Sequence, residues 1–123
     1  LRGWSPAGLM MLGGAASVLR WGVYALSPPV WLLFPLQALH ALTFAATYLG
    51  FLRYVHDAAP ERLTATAQGI NSALSGGVFL ALASFVSGLA YAAFGAAGFA
   101  VMAIPAGLGL ACAIALMLRR SVA

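Results

Sequence analysis

"PLQALHALTFAATYLGFLRY", residues 35–54, is the stretch on which the reading of the fold turns. It is apolar and long enough to cross a bilayer, since about 20 residues of helix cover about 30 Å of hydrocarbon. Helix is the spanning structure it predicts, because an open strand would leave backbone groups unpaired in lipid. Yet His40 sits in its middle. An imidazole at that depth is costly, and serves either to hold helices together or to line a path through the membrane.

Working outward, the rest of the chain has the same character. Of 123 residues, 63% are hydrophobic and 7% charged, too few charges to cover a soluble domain of this length. Four apolar runs predict spans at about 4–26, 30–52, 70–93 and 99–118. The fold class expected is therefore all-α, a polytopic membrane protein of four transmembrane helices. "SPP" (27–29) and "FGAAG" (94–98) are short, uncharged connections, whereas the loop 53–69 holds Arg53, Asp57, Glu61 and Arg62. Arg2, Arg53, Arg62, Arg119 and Arg120 fall on one side, and Arg20 is the exception among the six arginines. By the positive-inside rule, both ends of the segment and the long loop are expected to be cytoplasmic. The net charge of +4 is too sparsely distributed for a phosphate-binding stripe, so no nucleic-acid partner is implied. The chain begins on leucine and shows no signal-peptide pattern, and is expected to be a fragment.

Small residues four apart in "SALSGG" (72–77) and "SFVSG" (84–88) predict close helix approach, as do Gly13, Gly14, Gly107 and Gly109. Pro105 is expected to kink the fourth span. Cys112 reads as a small packed hydrophobe; a lone cysteine makes neither a disulfide nor a metal site.

The polar residues inside the spans carry the functional reading. Arg20 lies roughly 9 Å and His40 roughly 15 Å from the outer ends of their helices. An arginine at mid-helix costs roughly 2.5–3.5 kcal/mol to insert, so it faces a cavity or a partner unless it snorkels to the headgroups. No span contains a carboxylate, so an inward-facing Arg20 needs an anion from other helices or from a solute. Gln37, His40, Thr43 and Thr47 fall within about 120° of one another on a helix. Gln68, Asn71, Ser72 and Ser75 are spaced to share a face of the third span. The candidate pathway residues are thus Arg20, Gln37, His40, Thr43, Thr47, Asn71 and Ser75. Helix glue is the alternative, since lone hydroxyls in membranes usually bond their own backbone or a neighbour. His40 and His56 lie on different levels with no further ligand at metal spacing. No nucleophile has a base and an orienting acid. Neither an enzyme nor a cofactor is implied.

With these residues in place, the chain resembles the C-terminal part of a major facilitator superfamily transporter. More closely it is similar to the branch that includes the lactose and phenylpropionate permeases. The resemblance rests on "LRWGVYAL", "LQALHALTF", "RYV", "PERLTATAQG" and "SGLAYAAFGAAGF". It implies that the spans are helices nine to twelve of a twelve-helix fold, a parity that agrees with the arginine-derived orientation. It also implies a secondary transporter in a bacterial inner membrane, moving a small solute, with an anionic or aromatic one suiting Arg20. In that branch an arginine and a histidine twenty residues later belong to the network coupling solute to protons, and Arg20 and His40 match that pair. Thr43 stands where the branch has a glutamate, so proton coupling would need a carboxylate on the missing N-terminal helices. The rival readings are a complete four-helix transporter dimer of the small multidrug type, which carries a glutamate where this first span has none, and a non-transporting scaffold subunit.

Overall fold

The computed structural model describes residues 3–122, with side chains described as far as residue 119. The described residues form α1 (Pro6–Ala25), α2 (Val30–Ala58), α3 (Glu61–Ser72), a π-helical segment (Ala73–Phe79), α4 (Leu80–Phe94), a 3₁₀ segment (Gly95–Phe99) and α5 (Ala100–Val122). The all-α expectation holds throughout them.

Local chemistry sets the element ends. Ser5 Oγ accepts from the Gly8 amide at 3.0 Å and Pro6 occupies the first turn, which together start α1. Ser27 takes a left-handed φ of 54°, and Pro28 and Pro29 behind it cannot extend the helical ladder. Gly95, with φ of 59°, ends α4 in a backbone conformation that side chains resist. The segment 53–69, read as a loop, is helical on both sides of a break at Ala59 and Pro60. Proline disfavours helix at the residue before it, and Glu61 in the first turn suits the helix dipole of α3. The third helical run therefore starts at Glu61 rather than near residue 70. Pro105 lies inside α5, which continues through it as one helix.

Three helices form a layer with α1 between α2 and α5. Glycines let them approach. A Cβ at Gly13 would collide with Thr47 Oγ1 and lie 2.9 Å from the Thr43 carbonyl oxygen; one at Gly50 would lie 2.8 Å from the Pro6 carbonyl oxygen. Gly14 faces the backbone of Leu110 in the same way. Ala7, Leu9, Ala16, Ala46 and Ala113 are buried, so the layer is packed by small side chains and backbone approach. At one end Arg53 Nη1 donates to the Trp4 carbonyl at 3.2 Å. Met117 and Trp4 share a shallow groove, so the C-terminal part of α5 reaches that same end. Arg2 lies outside the described residues, as does the side chain of Arg120.

The run from α3 through the π segment to α4 stands away from this layer. α3 meets α2, and α4 with the 3₁₀ segment meets α5, but among the described residues the π segment touches only α3 and α4. No residue of α3 or the π segment is buried, and Ala90 is the buried residue of α4. A Cβ at Gly76, Gly77 or Gly88 would meet nothing within 4 Å, and the same holds at Gly107 and Gly109. The small-residue pattern of the third span, expected to mark helix contacts, faces open space. The total surface of 8043 Å² exceeds the about 6,200 Å² of a compact monomer of this mass.

Large apolar side chains point outward, among them Trp31, Phe34, Phe85 and Phe94. Lipid or further helices accommodate such faces; water does not. By length and hydropathy, Val30–Ala58 and the helical run Glu61–Arg119 suffice to cross a membrane. The longer run folds back at the 3₁₀ segment and so supplies two helices. α1 is 20 residues long but carries the charge of Arg20, and is not among the segments that qualify by hydropathy.

Candidate functional site

The gap between the three-helix layer and the third run is a cavity of about 760 Å³. α1, α2, α5 and the junction of α3 with the π segment face it. α1 contributes Met10, Gly13, Gly14, Ser17 and Arg20, spaced three and four apart as one stripe. From α2 come His40, Thr43, Phe44, Thr47, Tyr48 and Phe51, again one stripe. Asn71 and Ser75 close it from the third run, one turn apart across the junction of α3 with the π segment. α5 adds Pro105, Gly109 and Cys112.

Six of the seven candidate pathway residues, Arg20, His40, Thr43, Thr47, Asn71 and Ser75, thus line one space. Gln37 does not; it is exposed on α2, one turn before His40. Gln68 and Ser72 are likewise absent from the lining. Cys112, read as a packed hydrophobe, is exposed on the cavity wall. The sequence reading also passed over Ser17, one turn before Arg20, and the stacked pair Phe44 and Tyr48, whose centroids lie 6.0 Å apart at 10°. Helical spacing from Arg20 and His40 was the signal that would have found them.

The hydroxyls are half committed. Thr43 Oγ1 donates to the Leu39 carbonyl at 2.9 Å, and Ser75 Oγ donates to the Asn71 carbonyl at 2.6 Å. Each proton is spent on its own helix, so what remains for a ligand is acceptor capacity. The Ser75 bond runs from the π segment back into α3, at the point where helical bonding departs from the α pattern; such segments concentrate at functional sites.

Arg20 is the contrasting group. It is 8% exposed, held inside the protein rather than extended into solvent. Its Cζ lies 4.4 Å from the Trp21 ring centroid and 5.8 Å from that of Tyr24. Desolvated cation–π contact is worth about 2 kcal/mol. Ring faces offer no lone pair to an N–H, however, and Nε is buried with no hydrogen-bond partner. An unmet buried donor costs about 1–3 kcal/mol, so the rings offset much of the penalty without satisfying the group. Asp57 and Glu61 flank the Ala59–Pro60 break, at the end of the bundle where Arg53 meets Trp4. Among the described residues lining the cavity there is no carboxylate.

Next to Arg20, on the side away from Arg53, sits an aromatic cluster whose rings are not part of the cavity lining. Phe99 of the 3₁₀ segment lies 6.0 Å from Trp21, 6.0 Å from Tyr24 and 5.6 Å from Tyr91. One ring therefore joins the α4–α5 turn to both α1 and α4. Trp21 and Tyr24 are the other half of that joint. Among the described residues no group of three His, Cys, Asp or Glu converges as a metal site.

Comparison with known proteins adds two findings. Residues 1–102 match the family described as the MFS_1 like family. Over 80 residues the chain is 29% identical to the maltose permease of Geobacillus stearothermophilus, a match that covers 65% of this chain and 20% of the permease. The match thus takes in about a fifth of that curated relative's length. No solved structure matches the chain.

Proposed function

The chain belongs to the MFS_1 like family, and from that premise we propose that it is the C-terminal four-helix part of a secondary transporter. The family and the apolar helices make it an integral membrane protein of the major facilitator type, a permease rather than an enzyme. In this reading α1, α2, the run α3–α4, and α5 are the last four spans. Both ends of the segment face the cytoplasm, across a bacterial inner membrane, and the remaining helices complete the translocation path.

The observation that carries the reading is the convergence of Arg20, His40, Thr43, Thr47, Asn71 and Ser75 on one cavity. About 760 Å³ lies within the range of small-molecule sites. Mixed polar and aromatic walls suit a small solute that is partly desolvated in passage. Transporters of this architecture bind near the midplane and alternate access by rocking one half against the other. The walls support an anionic or aromatic solute, which suits Arg20 with Phe44, Tyr48 and Phe51 and agrees with the resemblance to the lactose and phenylpropionate permease branch. A neutral sugar is the second reading, favoured by the similarity to a maltose permease. Ion coupling is part of the proposal, with the titrating carboxylate outside this chain because Thr43 cannot release a proton near neutral pH.

The test is uptake by the full-length transporter in cells, across radiolabelled maltose, benzoate and glucose. His40→Ala and Arg20→Gln are each expected to lower the initial rate at least tenfold at unchanged membrane expression. Wild-type rates in both variants would leave these side chains as structural groups and sink the assignment of the path.

A further inference from the structure

We propose that the back of the three-helix layer binds an anionic phospholipid, with one acyl chain in the groove between α1 and α5 and the headgroup at the arginine-bearing end. The groove is separate from the cavity, and its occupant is lipid rather than the transported solute.

Direction is the first observation. α1 turns Met10, Gly13, Gly14 and Ser17 to the cavity, and Gly8, Met11, Leu12 and Ala15 to the groove. At about 100° per residue the centres of the two sets lie roughly 160° apart. Polar and ionisable side chains of a membrane protein face its interior, so the face turned from the cavity meets lipid. Its chemistry agrees. Leu110 and Met117 of α5 complete the walls, and no charged side chain lines the groove among the described residues. Leu19, one turn beyond Ala15, is 58% exposed and continues the apolar face. At Gly8 a Cβ would lie 3.7 Å from Trp4 Cε3, so the indole rests against the first turn of α1.

Length and charge select the occupant. Gly8 to Ala15 spans roughly 10 Å at helical rise, and Gly3 to Ser5 add about one turn, so the groove is roughly 15 Å long. That is the hydrocarbon depth of one leaflet, half of about 30 Å. A neighbouring helix would follow the layer through both leaflets, whereas an acyl chain ends where the groove ends. The outer end of the groove holds Trp4, a residue that favours the headgroup level. Arg53 Nη1 donates to the Trp4 carbonyl at 3.2 Å, which sets a permanent cation beside that end. In sequence Arg2 directly precedes the lining residue Gly3. Arg2, Arg53, Arg62, Arg119 and Arg120 outnumber Asp57 and Glu61 in the segments at that side. An excess of basic groups beside a membrane surface draws anionic headgroups.

Photocrosslinking of the purified full-length transporter tests this, using phosphatidylglycerol with a diazirine in one acyl chain and mass spectrometry to locate the label. Label on Met11, Ala15 and Met117 is expected at least fivefold above that on Leu19 and Phe34, exposed apolar residues outside the groove. Unlabelled phosphatidylglycerol is expected to compete at a concentration at least fivefold lower than phosphatidylcholine. Ala15→Trp, which fills the groove from an exposed position, is expected to cut the label on Met11 at least fivefold, and Leu19→Trp to leave it unchanged. Met117→Trp serves if Ala15→Trp fails to fold. Arg2→Gln combined with Arg53→Gln is expected to bring the two competing lipids within twofold of each other. Label spread evenly over the groove, Leu19 and Phe34 is ordinary lipid contact and overturns the proposal. A groove left unlabelled beside labelled Leu19 is covered by a helix or a second copy, and overturns it too. Equal competition by both lipids in the wild-type protein, or an undiminished preference in the double variant, overturns the anionic selection. Transport is not read in this experiment, so its failure leaves the assignment of the cavity standing.

Discussion

At the scale of single residues, packing and the cavity share one face of α1, since Gly13 both meets α2 and lines the cavity. Gly13 and Gly50 are places where backbone meets backbone, and each has a partner inside the ordinary reach of a Cβ. Gly22, on the same helix as Gly13, has nothing within 4 Å. Gly13→Ala is therefore expected to destabilise the protein by about 1–3 kcal/mol, the usual cost of overpacking, while Gly22→Ala is expected to be neutral or mildly stabilising. Thermal unfolding followed by size-exclusion chromatography of the full-length transporter checks both. The site residues were partly legible. Arg20 and His40 stand out in any apolar span because charge and imidazole are costly there. Thr43 and Thr47 followed from helical spacing. Cys112 did not, because a small side chain in an apolar run with no charged neighbour at helical spacing carries no signal of which wall it faces. Gln37 shares the stripe of His40 by spacing but sits a turn outside the lining, and spacing alone does not say where a cavity ends.

At the scale of elements, the third helical run is the part that sequence pattern misread. Its small residues at four-residue spacing predict close helix contact, and its middle stands free among the described residues. The reason is physical: a small-residue stripe marks a face able to be approached, and the approaching partner need not be in the same segment. The start of α3 at Glu61 was hidden for a related reason, since hydropathy reports where lipid begins and not where a helix does. This run is held at its two ends, by α3 against α2 and by the 3₁₀ segment against α1 and α5. Phe99 bridges Trp21, Tyr24 and Tyr91, and each such aromatic pair is worth about 0.5–1.5 kcal/mol. Phe99→Ala is expected to raise amide hydrogen exchange several-fold across Gly95–Phe99 while leaving the α1–α2 packing around Gly13 and Gly50 unchanged. Unchanged exchange at Gly95–Phe99 would mean that the turn is held by its own backbone.

At the scale of the whole molecule, the all-α class was readable from hydropathy. The cavity was not, because it depends on how far one helix stands from three others. Antiparallel order brings Arg53 to Trp4 and carries the turn Ser27–Pro29 and the 3₁₀ segment to the other end. If the arginine-bearing end is cytoplasmic, Ser27→Cys and Ala97→Cys label with a membrane-impermeant maleimide in intact cells. His56→Cys then labels after permeabilisation. Reversed labelling would invert the proposed orientation. The central claim is that the space between the third run and the three-helix layer is the route the solute takes. Cys112 tests it directly, being the cysteine of this chain and exposed on that wall. In full-length transporter whose other cysteines are replaced, complete N-ethylmaleimide modification of Cys112, verified by mass, is expected to abolish uptake of whichever radiolabelled probe the protein carries. The same modification at Ile114→Cys in a Cys112→Ser background, off the cavity wall, is expected to leave uptake at half its rate or more. Full modification of Cys112 with undiminished uptake would contradict the account.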